Sequence, residues 1–262
     1  MDNFIDKVVI VTGGAKGIGA SICKVFAKAG ANVVCADIDE TAGKQMSSDC
    51  SNYEGRLIFY LCDVSSSEDC RNLVEAATKY GKLVVLSNNA GIQPPDSYLP
   101  AHKLPEKTWE RIINVNLKST FLMSKYTIPH MKQQGGGVII NTASVQGLQS
   151  ERGVSAYAAS KGGQLSLTRQ LALEYAEDNI RVLAINPGTI DTPLLQEAMD
   201  HLGENETEIR KKMANSHPLG RIGKPEDIAN IVLFLASNKA SFITGEYICV
   251  DGGLMAKGAW DV

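Results

Sequence analysis

Histidine is scarce in this chain. The four present (His102, His130, His201 and His217) stand far apart, with no HxxH or HExxH spacing. A helical zinc site of the HExxH kind needs two such ligands on one helix face, and with histidines this scattered no metal site is expected. The six cysteines (Cys23, Cys35, Cys50, Cys62, Cys70 and Cys249) include no CxxC pair. They read as reduced thiols of a cytoplasmic protein. There is no excess of positive charge: the formal net charge is −3 and the pI about 5.9. Neither nucleic acid nor an anionic membrane is therefore an expected partner. No apolar run approaches the ~20 residues of a membrane span. The opening stretch, MDNFIDKVVIVTGG, has neither the basic flank nor the cleavage site of a secretory leader. Internal repeats and low-complexity linkers are missing too. What is there is an ordinary globular composition, 44% hydrophobic and 21% charged over 262 residues. With no linker to divide it, the whole chain, 1–262, reads as one domain.

Strand-like and helix-like segments alternate throughout. KVVIVTGG, NVVCAD, RLIFYLCD, LVVLSNNAG, GVIINTAS, IRVLAINPG and EYICVDGG are apolar runs that stop at turn residues. Between them lie helical patterns. One begins at Ile18 and ends at Gly30. Another runs to Tyr80 from Ser65, whose partner Glu68 forms a capping-box spacing. A long one spans about 106–133, where Pro129 is expected to kink the helix or end it early, and a fourth covers 155–177. Near-continuous apolar strands separated by helices predict a doubly wound α/β fold, a seven-stranded parallel sheet covered on both faces. The polar, interrupted stretch 191–218 is then an insertion beyond the C-terminal strand edge, where a lid over a ligand belongs.

The first strand runs into TGGAKGIG, with Gly13, Gly17 and Gly19 spaced GxxxGxG. Glycines there let the turn tighten and bring amides and a helix N-terminus close to a pyrophosphate. An acid about twenty residues on, Asp37, closes the second strand, where a carboxylate accepts from adenosine ribose hydroxyls and repels a 2′-phosphate. NAD is favoured over NADP on that ground. The alternative makes Asp37 a turn residue or a helix cap, a role open to Asp39 as well. Lys16, inside the glycine turn, is a group able to hold a 2′-phosphate.

SAYAASKGG sets Tyr157 and Lys161 four apart, on one helix face. An isolated YxxxK is commonly a solvated face. Here Ser144 follows an apolar strand, Asn116 lies on a helix flanking the sheet, and Ala158, Ala159, Gly162 and Gly163 suit close packing rather than water.

In order along the chain, TGGAKGIG, Asp63-Val64, NNAG (88–91), Asn116, Ser144, the Tyr157/Lys161 pair, NPG (186–188) with Thr192, and DGG (251–253) are similar to the short-chain dehydrogenase/reductase family. The resemblance spans essentially the whole chain. NAGIQPP and the stretch from Gly220 to Gly245 are similar to the branch with 17β-hydroxysteroid dehydrogenase type 14 and related sugar dehydrogenases. The resemblance implies a Rossmann fold and a CH–OH oxidoreductase. It makes Tyr157 the general acid/base and Lys161 the holder of the nicotinamide ribose that lowers the tyrosine pKa. Ser144 polarises the substrate oxygen and Asn116 places a water in a proton relay. Ile18, Ile38, Asp63, Val64, Asn89, Ala90, Gly91, Pro187, Gly188, Ile190 and Thr192 line the cofactor, and the chain assembles as a homotetramer. Lowering a tyrosine by about three units needs ~4 kcal/mol, which an ammonium about 4 Å away supplies at an effective dielectric near 20.

The substrate pocket is expected from the loop after NNAG, the segment after Ser144, the 191–218 insertion and the tail after DGG. Gln93, Gln146, Gln149, Glu151 and Arg152, where they face inward, suit a hydroxylated small molecule, sugar or polyol ahead of hydroxysteroid. Two other readings stay open: a 3-oxoacyl-[acyl-carrier-protein] reductase, and a catalytically silent NAD-binding protein.

Overall fold

The computed structural model describes residues 4–202 and 205–257. Residues 203–204 of the insertion and the tail beyond 257, both expected near the pocket, lie outside the described residues. The strands are β1 (Lys7–Thr12), β2 (Asn32–Asp37), β3 (Arg56–Leu61), β4 (Lys82–Asn88), β5 (Gly137–Thr142), β6 (Ile180–Pro187) and β7 (Tyr247–Val250). They form a 7-stranded sheet in the order β3-β2-β1-β4-β5-β6-β7. Every neighbouring pair is parallel. The helices are α1 (Gly17–Lys28), α2 (Glu40–Asp49), α3 (Ser67–Ala77), α4 (Glu106–Ile113), α5 (Ser119–Gln133), α6 (Ser155–Tyr175), α7 (Pro193–Leu202), α8 (Glu206–Ser216) and α9 (Pro225–Ala236).

Side chains alternate across a strand, so β1 feeds two cores at once. Val9 and Val11 pack with Ile22 and Phe26 of α1 and Ile228, Val232 and Leu235 of α9. Val8 and Ile10 pack on the other face with Leu73 of α3, Met123 and Met131 of α5 and Leu171 of α6. Both faces being covered explains why the strands read as continuous apolar runs instead of alternating ones. Phe26 is fully buried and meets Phe4 edge-on, ring centroids 5.1 Å apart. Burying such a ring contributes about 3 kcal/mol. The seven-stranded, doubly wound prediction holds. Since β1 is flanked by β2 on one side and β4 on the other, the winding reverses there and leaves a crevice above its C-terminal end.

Two local expectations are corrected. The cap of α3 is Ser66, not Ser65: the Ser66 hydroxyl accepts from the Asp69 amide at 3.2 Å, while Ser65 Oγ donates to Asp63 at 2.7 Å. Asp69 is therefore the N3 acid, and its carboxylate reaches back to the Asp63 amide at 3.0 Å. The long helical pattern is broken earlier than Pro129, by a π-turn at Asn114–Lys118. Helix α5 runs through Pro129 to Gln133. Such π-turns add a residue to one turn and occur often at functional sites.

Candidate active site

One cleft of about 1250 Å³ opens above β1, β4, β5 and β6. It exceeds the ~300–1,000 Å³ of an ordinary small-molecule pocket. Gly13, Lys16, Gly17, Ile18, Asp37, Ile38, Asp63, Val64, Asn89, Ala90, Gly91, Pro187, Gly188, Ile190 and Thr192 all border it, as do Gln93, Ser144, Gln146, Tyr157 and Lys161.

The glycine turn is built for close approach. Gly13 and Gly17 have φ of 61° and 53°, values that favour glycine. A Cβ on Gly13 would stand 2.8 Å from the Ala90 backbone. That closeness lets the Thr12 hydroxyl accept from the amides of Asn89 and Ala90 at 3.0 and 3.1 Å. The Asn89 side chain donates back to the carbonyls of Thr12 and Gly13. Gly19 differs from the expectation: it does not border the cleft. A Cβ there would fall 2.0 Å from the Gly13 carbonyl, so its smallness lets α1 pack under the turn.

Helix α1 has no side-chain cap. Its first amides are left for an anion at a helix N-terminus, which fits a pyrophosphate. Asp37 is held rigidly, its two oxygens accepting from the amides of Ala15 and Asp39, each at 3.0 Å. Asp39 caps α2 by accepting from the Ala42 amide, so Asp37 is left to face the cleft. Lys16 pairs with Asp39 at 2.6 Å, and that carboxylate raises its pKa. The residues present thus fit a dinucleotide, with Gly17, Ile18 and Asp37 placed to hold it.

Tyr157 and Lys161 share a face of α6, with the ammonium 5.5 Å from the phenol ring centroid. Ser144 leaves the end of β5; its Oγ accepts from the Gln146 amide at 3.1 Å. Burial dominates the electrostatics of the pair. Burial pushes the Tyr157 phenol up to about 12, against a smaller downward pull from its hydrogen bond with Ser144. Burial also brings Lys161 down to about 7. Lys161 is 3% exposed and donates to the neutral Thr142 carbonyl at 2.8 Å, so no carboxylate offsets its desolvation. Burial in this shell thus favours the protonated phenol and the uncharged amine.

Asn116 stands behind the cleft wall, near Gly91. It is fully buried in the π-turn and does not border the cleft. Its Oδ1 accepts from the Ile92 amide at 2.8 Å, and its Nδ2 donates to the Ile92 carbonyl at 3.0 Å and to Ser160 Oγ at 3.2 Å. The side chain is spent on bracing the loop after NNAG against α6.

Gln149, Glu151 and Arg152 border the cleft beside Gln93 and Gln146. Gln146 has a second task, its Oε1 accepting from the Glu151 amide at 2.9 Å. Sequence reasoning missed Tyr98. Its phenol borders the cleft, and burial with the nearby Tyr157 and Glu151 pushes it up to about 12. The isolated bridge between Leu99 and Val154 holds it beside α6, a pairing that no local pattern signals. The insertion resolves into α7 and α8, and Leu194, Leu195, Met213 and Ser216 form the cleft's other wall.

Comparison with known proteins agrees with this architecture. A family model described as enoyl-(acyl carrier protein) reductase matches residues 13–255. The structure of levodione reductase superposes with a TM-score of 0.93 at 31% identity, covering 98% of this chain and 100% of that one. The 3-ketoacyl-(acyl-carrier-protein) reductase of Brucella melitensis, solved with NADH, gives 0.88 at 36% identity over 96% and 99% of the two chains. Aldohexose dehydrogenase of Thermoplasma acidophilum gives 0.88 at 36% identity over 99% and 98%.

Proposed function

Starting from the fact that the chain belongs to the short-chain dehydrogenase/reductase family, we propose that it is an NAD-dependent dehydrogenase of a secondary alcohol. The observation that carries this reading is that Tyr157, Lys161 and Ser144 border the same cleft as the glycine turn and Asp37. Tyr157 exchanges a proton with the substrate oxygen, and Ser144 donates to that oxygen as negative charge builds on it. The nicotinamide cofactor, when bound, supplies the hydride chemistry. Lys161 holds the phenol's surroundings polar and meets the cofactor from the Thr142 side. Asn116 acts by fixing Ile92. With the phenol at about 12, the protein is ready as an acid for reduction, while oxidation calls for alkaline conditions.

Three observations support NAD over NADP: Asp37 faces the cleft, no cation pairs with it among the described residues, and Lys16 is engaged by Asp39. Polar groups from Gln93, Tyr98, Gln149 and Glu151 around the cleft favour a sugar or polyol over a hydroxysteroid. Likeness to an aldohexose dehydrogenase points the same way. The test is a panel of sugars, polyols and steroids with NAD or NADP at alkaline pH, followed by absorbance of the reduced cofactor. Turnover of neither class discards the substrate reading. Tight NAD binding by calorimetry without any turnover favours a silent nucleotide-binding protein instead.

A second reading, reduction of a 3-oxoacyl group on an acyl carrier protein, is favoured by one feature. Arg111 and Arg152 border the cleft and make no ion pair among the described residues, as an acidic carrier requires. Activity with NADPH and an acetoacetyl thioester, exceeding that on every alcohol, would select it. Homotetramer assembly is supported by large exposed apolar groups, Phe242 beyond α9 and Leu173 on α6. Six free thiols, five of them buried, are consistent with the cytoplasm.

A further inference from the structure

His217 ends α8, and its ring is 2% exposed. Its Nε2 lies 3.1 Å from the Thr189 amide nitrogen. An amide only donates, so Nε2 is the unprotonated nitrogen and the ring proton sits on Nδ1. Nδ1 lies 2.7 Å from the Met213 carbonyl, which accepts it, and 3.1 Å from Ser216 Oγ. One ring thereby joins two strips of chain that are otherwise tied by the Arg210–Asp191 ion pair at 2.9 Å, nearer the start of α8. Thr189 belongs to the loop leaving β6; Met213 and Ser216 belong to the insertion. All three border the cleft, whereas His217 stands behind its wall.

The ring is wedged rather than loosely packed. A Cβ on Gly188 would fall 2.9 Å from His217 Nε2, and one on Gly252 would fall 3.3 Å from His217 Cβ. The backbone closes the same knot: Leu219 donates to the Gly252 carbonyl at 3.1 Å, and Gly188 to that of Val250 at 3.2 Å. The Thr189 carbonyl is taken by the Gly223 amide at 2.9 Å, so His217 is what holds the amide side of that residue.

We propose that His217 is a positioning residue: by fastening the Gly188–Ile190 loop to α8, it shapes the end of the cleft beyond β6, on the Ser144 side and away from Asp37, where the nicotinamide half of the cofactor would lie. The proposal rests on the reading that this cleft takes NAD. It makes the histidine's hydrogen-bonding pattern, not its charge or bulk, the property that matters. Glutamine can reproduce that pattern, with an amide oxygen for Thr189 and an amide N–H for Met213. Phenylalanine keeps the ring and loses both bonds.

The test is fluorescence titration of the ligand-free protein with NADH, and calorimetry with AMP, which carries only the adenine half. His217→Phe is expected to weaken NADH binding tenfold or more and to leave AMP within twofold. His217→Gln is expected to restore NADH to within about threefold of the unsubstituted protein. Hydrogen exchange on the unsubstituted protein reads the contact without any variant: the Thr189 amide should exchange slowly before nucleotide is added. The proposal is overturned by NADH affinity unchanged in His217→Phe, by AMP weakening in parallel, or by a Thr189 amide exchanging as fast as free chain. Unsubstituted protein that binds neither NADH nor AMP would overturn the cofactor reading itself, and this proposal with it.

Discussion

A buried lysine with no counter-charge makes the stability of the ligand-free protein depend on pH in a calculable way. Lys161 titrates at about 7 in the folded protein, against an ordinary value of 10.5. Through that window the unfolded chain holds more protons than the native one, so stability must rise with pH, with a slope approaching 1.4 kcal/mol per unit. From pH 7 to pH 8.5 the gain is about 1–2 kcal/mol. The range stops there because burial raises Cys23 and Cys50 above their ordinary 9.0. Thiols held protonated in the native state reverse the sign at higher pH. The assay is urea unfolding of nucleotide-free protein at pH 7 and 8.5, extrapolated to water. Lys161→Met keeps most of the side chain and removes the amine, so its stability should change by about 1–2 kcal/mol less over the same interval. Equal pH slopes in the two proteins would refute the claim that an uncompensated buried amine stands beside Tyr157.

Four other predictions follow from the same geometry. Tyr157→Phe should lower turnover about a thousandfold or more, within the range that a positioned acid/base provides, with NADH affinity by fluorescence kept within threefold. In the unsubstituted enzyme, the pH profile should show oxidation accelerating with alkalinity toward the phenol's value of about 12, and reduction level through neutrality. Asp37→Ser removes the acceptor that two backbone amides orient and the charge that repels a 2′-phosphate. The ratio of kcat/KM for NAD to that for NADP should fall at least tenfold. Asn116→Ala strands the Ile92 amide and carbonyl, while the Ser160 hydroxyl still donates to the Tyr157 carbonyl, so unfolding should cost about 1–3 kcal/mol less. KM for substrate should rise as the loop after NNAG loosens, read from steady-state kinetics.

The fold was legible in the sequence because a parallel sheet buried on both faces leaves an unmistakable pattern of apolar runs between helical ones. The glycine turn, its acid and the Tyr157/Lys161 pair were legible for a similar reason: each is a local spacing that one strand end or one helix face converts directly into geometry. Local spacing had less to say about partners. Gly19 carries the same letter as Gly13 and Gly17, yet it lies under the turn because α1 must cross the Gly13 carbonyl closely. Asn116 was legible as a residue on a helix flanking the sheet; that a π-turn aims its amide at Ile92, 24 residues away, was not. Lys161 was expected to lend its charge to the phenol. How much charge it keeps depends on the shell around it, and that shell is a neutral carbonyl from a distant strand. The sequence by itself determined which chemistry the chain carries and the scaffold that displays it. Tertiary structure alone decided who pairs with whom. Desolvation, as at Tyr98, and long-range hydrogen bonds, as at His217, come from segments that meet only after the sheet has wound.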